Sequence, residues 1–109
     1  NRDIKVKGNA KTMRSYMYPS DLCTWLITII IQESPPIINV GSDEGIEIGK
    51  LAEMVQKLVP QSRISYLEED THPNFYIPNI SLARKNLNLD LKIDLEESLS
   101  KWYSWLLNR

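Results

Sequence analysis

Between residues 22 and 31 the chain carries Leu22, Trp25, Leu26, Ile27, Ile29, Ile30 and Ile31, and this run constrains the fold more than any other stretch. Its polar side chains are Thr24 and Thr28, four apart, and Gln32 extends the same narrow stripe. At helical period that leaves nearly the whole circumference apolar, so the predicted helix wants burial on several sides. A membrane span does not fit, because about ten residues is roughly half of what a bilayer core requires. In 109 residues there is little else with which to surround such a helix. Ser20 or Asp21 is placed to accept hydrogen bonds from the first-turn amides, and Pro19 fixes the approach of the chain.

On either side of the helix the pattern is mixed. Ile4, Lys5, Val6 and Lys7 alternate as a strand, and Gly8 with Asn9 signals a turn. Residues 14–18 alternate aromatic or apolar with polar side chains, so the two segments read as a hairpin-like pair. After Pro35 and Pro36, residues 37–40 form a continuous apolar strand of the kind covered on both faces, and 42–45 a polar loop. From about Ile48 a second helix places Leu51, Val55, Leu58 and Val59 on one side until Pro60 ends it. Residues 63–67 alternate as a strand, 68–74 form a charged loop, and 76–78 are short and extended. Ser81 caps a helix reaching Leu87, Asn88 tolerates the left-handed conformation that ends helices, and Asp94 with Glu97 starts a final helix. Leu95, Leu99, Trp102, Tyr103 and Leu106 are its apolar face. The predicted order, β-β-α-β-α-β-β-α-α, belongs to the mixed α/β class.

Charge and cysteine content remove several function classes. Thirteen basic and 14 acidic residues give a net charge of −1 and are scattered, which points to neither nucleic acid nor an anionic membrane surface as partner. Cys23 is the single cysteine, and its place in the apolar helix predicts a buried, inert packing role in a protein of the reducing cytosol. Asn1 leads at once into strand pattern without an initiator Met, which reads as the interior of a longer polypeptide. No catalytic set is recognisable. His72 is the only histidine and has no identifiable nucleophile, and Gly41, Gly45 and Gly49 are spaced unlike a dinucleotide or phosphate loop. Glu68, Glu69 and Asp70 read as a solvated loop rather than a cation site, and no tyrosine is followed four residues on by lysine. No metal ligand set is expected.

Six segments do share an order and spacing with a known family. Residues 4–8, Arg14 with Tyr16, Tyr18 and Asp21, Asn39 with Val40 and Gly41, Leu51 with Ala52, Tyr76 with 81–84, and 95–99 resemble the C-terminal part of extended short-chain dehydrogenase/reductases. That is the NAD-dependent nucleotide-sugar epimerase/dehydratase family, dTDP-glucose 4,6-dehydratases included. The resemblance implies a C-terminal substrate-binding lobe spanning residues 1–109, with one helix and one strand that would complete a Rossmann domain absent from this chain. It accounts for the all-round apolar helix, whose missing neighbours would be that domain.

The resemblance also implies a set of site residues. Arg14 matches the arginine that meets the diphosphate of a nucleotide sugar, a role suited to a bidentate guanidinium. Lys5 and Lys7 match strand positions beside the base, Tyr76 a position near the nucleotide, and Tyr16 and Tyr18 would share the strand face of Arg14. His72, before Pro73, stands where the family usually has a second diphosphate arginine, and a part-neutral imidazole holds a diphosphate less firmly. NAD would bind to the missing domain and no catalytic residue would lie in this chain, so the fragment alone would be inactive. The implied protein is a cytoplasmic homo-oligomer making sugars for surface polysaccharides. The alternative reading is a free-standing protein-interaction module using the apolar helix of residues 22–31.

Overall fold

The computed structural model describes residues 3–33, 35–67 and 72–109. It is a mixed α/β structure with the elements β1 (Ile4–Val6), β2 (Met13–Ser15), α1 (Pro19–Ile31), β3 (Gly45–Glu47), α2 (Ile48–Leu58), β4 (Ile64–Tyr66), α3 (Ser81–Leu87) and α4 (Leu95–Asn108). The expected loop of residues 68–74 lies partly outside the described residues, and with it Glu68, Glu69 and Asp70.

The expected pairing of the first two strands does not occur. Gly8 takes a φ of 76°, and Asn9 then accepts from Lys11 N through its side chain and from Thr12 N through its carbonyl, which turns the chain aside instead of folding it back. β1 pairs in parallel with β4, Ile4 opposite Ile64, and β2 pairs antiparallel with β3, Arg14 opposite Ile46. A parallel pair needs a long crossover, and the connection between β1 and β4 includes α2, which packs on both strands. The amides of Ile48 and Gly49 at the start of α2 donate to the carbonyls of Thr12 and Ala10, satisfying donors that a helix leaves open.

β3 was hidden in sequence by its three residues, of which the first read as loop. Residues 37–40 form no strand: no ladder partner meets them among the described residues, and Ile38 and Val40 turn inward while Ile37 and Asn39 are exposed. They pack instead beside the main core of Trp25, Ile80, Ala83, Leu87 and Leu89.

α1 also departs from expectation at its start. Its N-cap is Tyr18, without a side-chain cap bond, and Pro19 opens the helix where a missing N–H costs nothing. Asp21 is buried and its Oδ2 accepts from Lys92 N at 3.2 Å and Ile93 N at 3.1 Å, so the carboxylate holds the approach to α4. Trp25 is the other buried residue of α1, and its Nε1 donates to the carbonyl of Asp90 at 3.0 Å. Leu22, Cys23, Leu26, Ile27, Ile30 and Ile31 are exposed. Cys23 is therefore a surface thiol, since it faces the side of the helix that this chain leaves uncovered. No described helix is long and apolar enough to cross a membrane.

Ser81 does not cap α3: the N-cap is Ile80, without a side-chain cap bond, and Ser81 is the first helical residue, its N and Oγ donating to Asn79 Oδ1 at 3.0 and 2.6 Å. Asn88 ends α3 at φ 51°, and Asp94 Oδ1 caps α4 by accepting from Glu97 N at 2.8 Å.

Candidate functional site

The site grows from the edge of β2 that β3 leaves open. Residues 72–80 run along it as an extended strap: Met13 N donates to Asn74 O at 2.9 Å, Tyr76 N donates to Met13 O at 3.2 Å, and Met13 and Phe75 form a parallel bridge. Asn74 N also donates to Thr12 Oγ1 at 3.3 Å. Farther along, Asn39 Nδ2 donates to Asn79 O at 3.0 Å. Gly41 permits the close approach there, since a Cβ on it would stand 3.0 Å from Pro78 Cγ.

Arg14 lies at the junction of β2 and the strap. It is half-buried, and its Nη1 donates to Met13 O at 2.8 Å and Asn74 O at 3.4 Å. Nε and Nη2 meet no acceptor, and no carboxylate pairs with the group, among the described residues. A guanidinium carries five N–H donors in a rigid fork, so anchoring one nitrogen by two carbonyls leaves an oriented edge of three for an external anion. The competing reading, a surface ion pair for Arg14, finds no partner among the described residues.

His72 and Tyr76 stand two residues either side of Asn74, so the strap brings both into the neighbourhood of Arg14. His72 is exposed, and Tyr76 is 69% exposed with its ring on the wall of a cleft of about 200 Å³ that Ser15, Asn39, Gly41, Ser42 and Pro78 help to line. Lys5 lies on β1 beside Ser65 of β4 and Lys7 just past the end of β1, both exposed. They belong to the other sheet, and no bond joins them to Arg14 or the strap. Tyr16 and Tyr18 do not extend the Arg14 site, because β2 ends at Ser15. They line an apolar groove of about 670 Å³ with Leu51, Leu95, Trp102 and Trp105.

Behind the cleft lies an ion cluster that sequence reasoning missed. Arg84 of α3 donates from Nη1 and Nη2 to both oxygens of Asp43, and from Nε at 3.2 Å and Nη2 at 3.0 Å to Asp90 Oδ1. The bond to Asp43, followed by that to Asp90, raises the already high pKa of Arg84. The Leu91 amide, and then Arg84, hold the Asp90 carboxyl below its ordinary value. Among the described residues no group of three His, Cys, Asp or Glu is placed to hold a metal ion.

No protein-family model matches the chain. It is 31% identical over 108 residues to a UDP-glucuronic acid decarboxylase 1 of Arabidopsis thaliana, covering 97% of this chain and 25% of that protein. Its fold superposes on UDP-glucose 4-epimerase of Thermotoga maritima, solved with UDP-glucose, at a TM-score of 0.86, with 17% identity over 97% of this chain and 35% of the other. It also superposes on UDP-glucuronic acid 4-epimerase of Bacillus cereus, solved with UDP-glucuronic acid and NAD, at a TM-score of 0.81, with 19% identity over 97% and 35% of the two chains. The chain spans between 24% and 33% of the length of the curated relatives that it matches.

Proposed function

We propose that this chain, which belongs to the extended short-chain dehydrogenase/reductase family of nucleotide-sugar epimerases, decarboxylases and dehydratases and matches its C-terminal part, is the portion of such an enzyme that holds the nucleotide sugar. The observation that carries this reading is the oriented edge of Arg14, which meets no partner among the described residues and lies one residue from Ser15 in the lining of the cleft that Tyr76 shares. A diphosphate presents paired anionic oxygens, and a guanidinium already fixed by two carbonyls meets two of them with little ordering left to do. His72, at the exposed start of the strap, adds a second and weaker contact to the same anion. Lys5 and Lys7 have an independent role or reach the ligand from the other sheet.

On this reading hydride transfer from the sugar takes place on NAD held outside these residues, and this chain contributes binding and orientation. Residues 1–109 alone turn nothing over, the intact protein works in the cytoplasm, and its products serve polysaccharide synthesis. The exposed apolar face of α1 is covered by the rest of the enzyme, and in the isolated chain it drives self-association. The same face is what favours the second reading, a free-standing interaction module. An upstream reading frame with a strand, a Gly-x-x-Gly-x-x-Gly turn and a Tyr-x-x-x-Lys pair supports the enzyme, and a start codon next to Asn1 supports the module.

The test is Arg14→Lys in the intact protein, followed by calorimetry with UDP-glucuronic acid. Losing the fork should weaken binding by about 1–3 kcal/mol while NAD affinity and melting temperature stay the same. Unchanged affinity for the sugar nucleotide overturns the assignment of Arg14.

A further inference from the structure

Gly41 and Ser42, in a connection that is neither helix nor strand, line the same cleft as Tyr76. Ser42 is buried and its Oγ accepts from Glu44 N at 3.1 Å, which shapes the turn but ties it to nothing outside itself. Beyond the bond of Asn39 to Asn79 and the packing of Ile38 and Val40, the connection is tied to the rest of the fold by the next residue, Asp43, gripped through both oxygens by Arg84. Arg84 is itself fixed at its other edge by Asp90 Oδ1, and the carbonyl of Asp90 accepts the indole N–H of the buried Trp25. A continuous polar chain therefore runs from the core through Asp90 and Arg84 to Asp43. At the far end Gly41 packs near Pro78, two residues from Tyr76, with room there for no more than a hydrogen in place of a Cβ, so a shift of residues 41–43 toward the strap would press on Pro78.

We propose that Arg84 is a positioning residue for nucleotide-sugar binding, setting the Gly41–Ser42 wall against the strap without touching ligand. The proposal rests on the reading of the cleft given above. Arg84, Asp43 and Asp90 are all solvent-exposed, and exposed ion pairs add little to global stability. What the fork supplies is geometry: one planar cation orients two carboxylates from different segments, which a lysine ammonium on a flexible stem does not reproduce.

The experiment uses Arg84→Lys and Asp43→Asn in the intact protein, alongside Arg14→Lys. Amide hydrogen exchange of residues 42–44, UDP-glucuronic acid affinity and melting temperature are read on each. The expected result is faster exchange at 42–44, affinity lower by roughly tenfold in both variants, the same loss in the double variant, and an unchanged melting temperature. Unchanged exchange at 42–44, a fall in melting temperature that accounts for the affinity loss, or intact affinity in a protein where Arg14→Lys does weaken binding each overturns the role of Arg84. Intact affinity in the Arg14 variant as well overturns the reading of the cleft, and with it the ligand that the wall serves.

Discussion

Replacing Trp25 tests how the main core is assembled. The side chain is 1% exposed, sits among Ile80, Ala83, Leu87 and Leu89, and closes a hydrogen bond to the Asp90 carbonyl. Trp25→Phe keeps an aromatic ring in the same rotamer space but removes the donor, at about 1 kcal/mol for a bond whose acceptor lies near solvent. The smaller ring leaves a void larger than a methyl group, worth about another 1 kcal/mol. The expected loss is therefore about 2 kcal/mol for Trp25→Phe, against about 3–5 kcal/mol for Trp25→Ala, where the ring itself is lost. Urea unfolding of residues 1–109 followed by circular dichroism measures both, with an unchanged slope showing that only stability has moved. In a chain of this size 2 kcal/mol corresponds to a fall in Tm of roughly 10 °C. A Phe variant within about 0.5 kcal/mol of the parent, the scatter of ordinary surface substitutions, refutes the account of the indole bond. An Ala variant losing less than about 2 kcal/mol would remove Trp25 from the centre of the core.

Two further outcomes follow from local bonds. Asp94→Ala should lower stability by about 1 kcal/mol and speed exchange of the Glu97 amide, because that amide then loses its acceptor; equal exchange in the two proteins counts against the cap. Asp90 has a depressed folded-state pKa, so its contribution is complete above the ordinary carboxylate value and disappears as pH falls through the lower folded one. The Leu91 amide shift, followed by NMR during acid titration, should have its midpoint below the ordinary carboxylate value, and a midpoint at or above that value contradicts the bond to Asp90.

The parts that sequence made legible are those specified within a few residues. The helix with Leu51, Val55 and Leu58 on one side, its end before Pro60, the left-handed Asn88 and the Asp94 cap depend on spacing and local sterics, and all stand in the structure. Strand partners depend on residues far apart in the chain, so Gly8 and Asn9 looked like the tip of a hairpin while β1 found β4 about sixty residues on. The same distinction divides the candidate site. Arg14 and the strap residues His72 and Tyr76 could be singled out by the motifs that contain them, whereas Asn74 contributes a backbone carbonyl, which any residue type would offer. The link of Arg84 to Asp43 crosses 41 residues between two ordinary surface side chains and leaves no trace in periodicity or composition.

The helix of residues 22–31 carries both lessons at once. Its uniform apolarity predicted burial, and the structure buries one line of it, through Trp25, while Leu26, Ile27, Ile30 and Ile31 remain 45%, 58%, 80% and 73% exposed. Full burial of such side chains is worth about 1.5–3 kcal/mol each, so covering what these four still expose would contribute on the order of 5 kcal/mol. That is comparable to the whole stability of a small domain. The polar residues of the helix divide accordingly: Thr24 and Thr28 return their hydroxyls to the backbone carbonyls of Ser20 and Thr24, and Asp21 spends its carboxylate on Lys92 and Ile93. A helix whose two threonines and Asp21 are satisfied within the chain, and which exposes Leu26, Ile27, Ile30 and Ile31, is built to meet a second apolar surface rather than water.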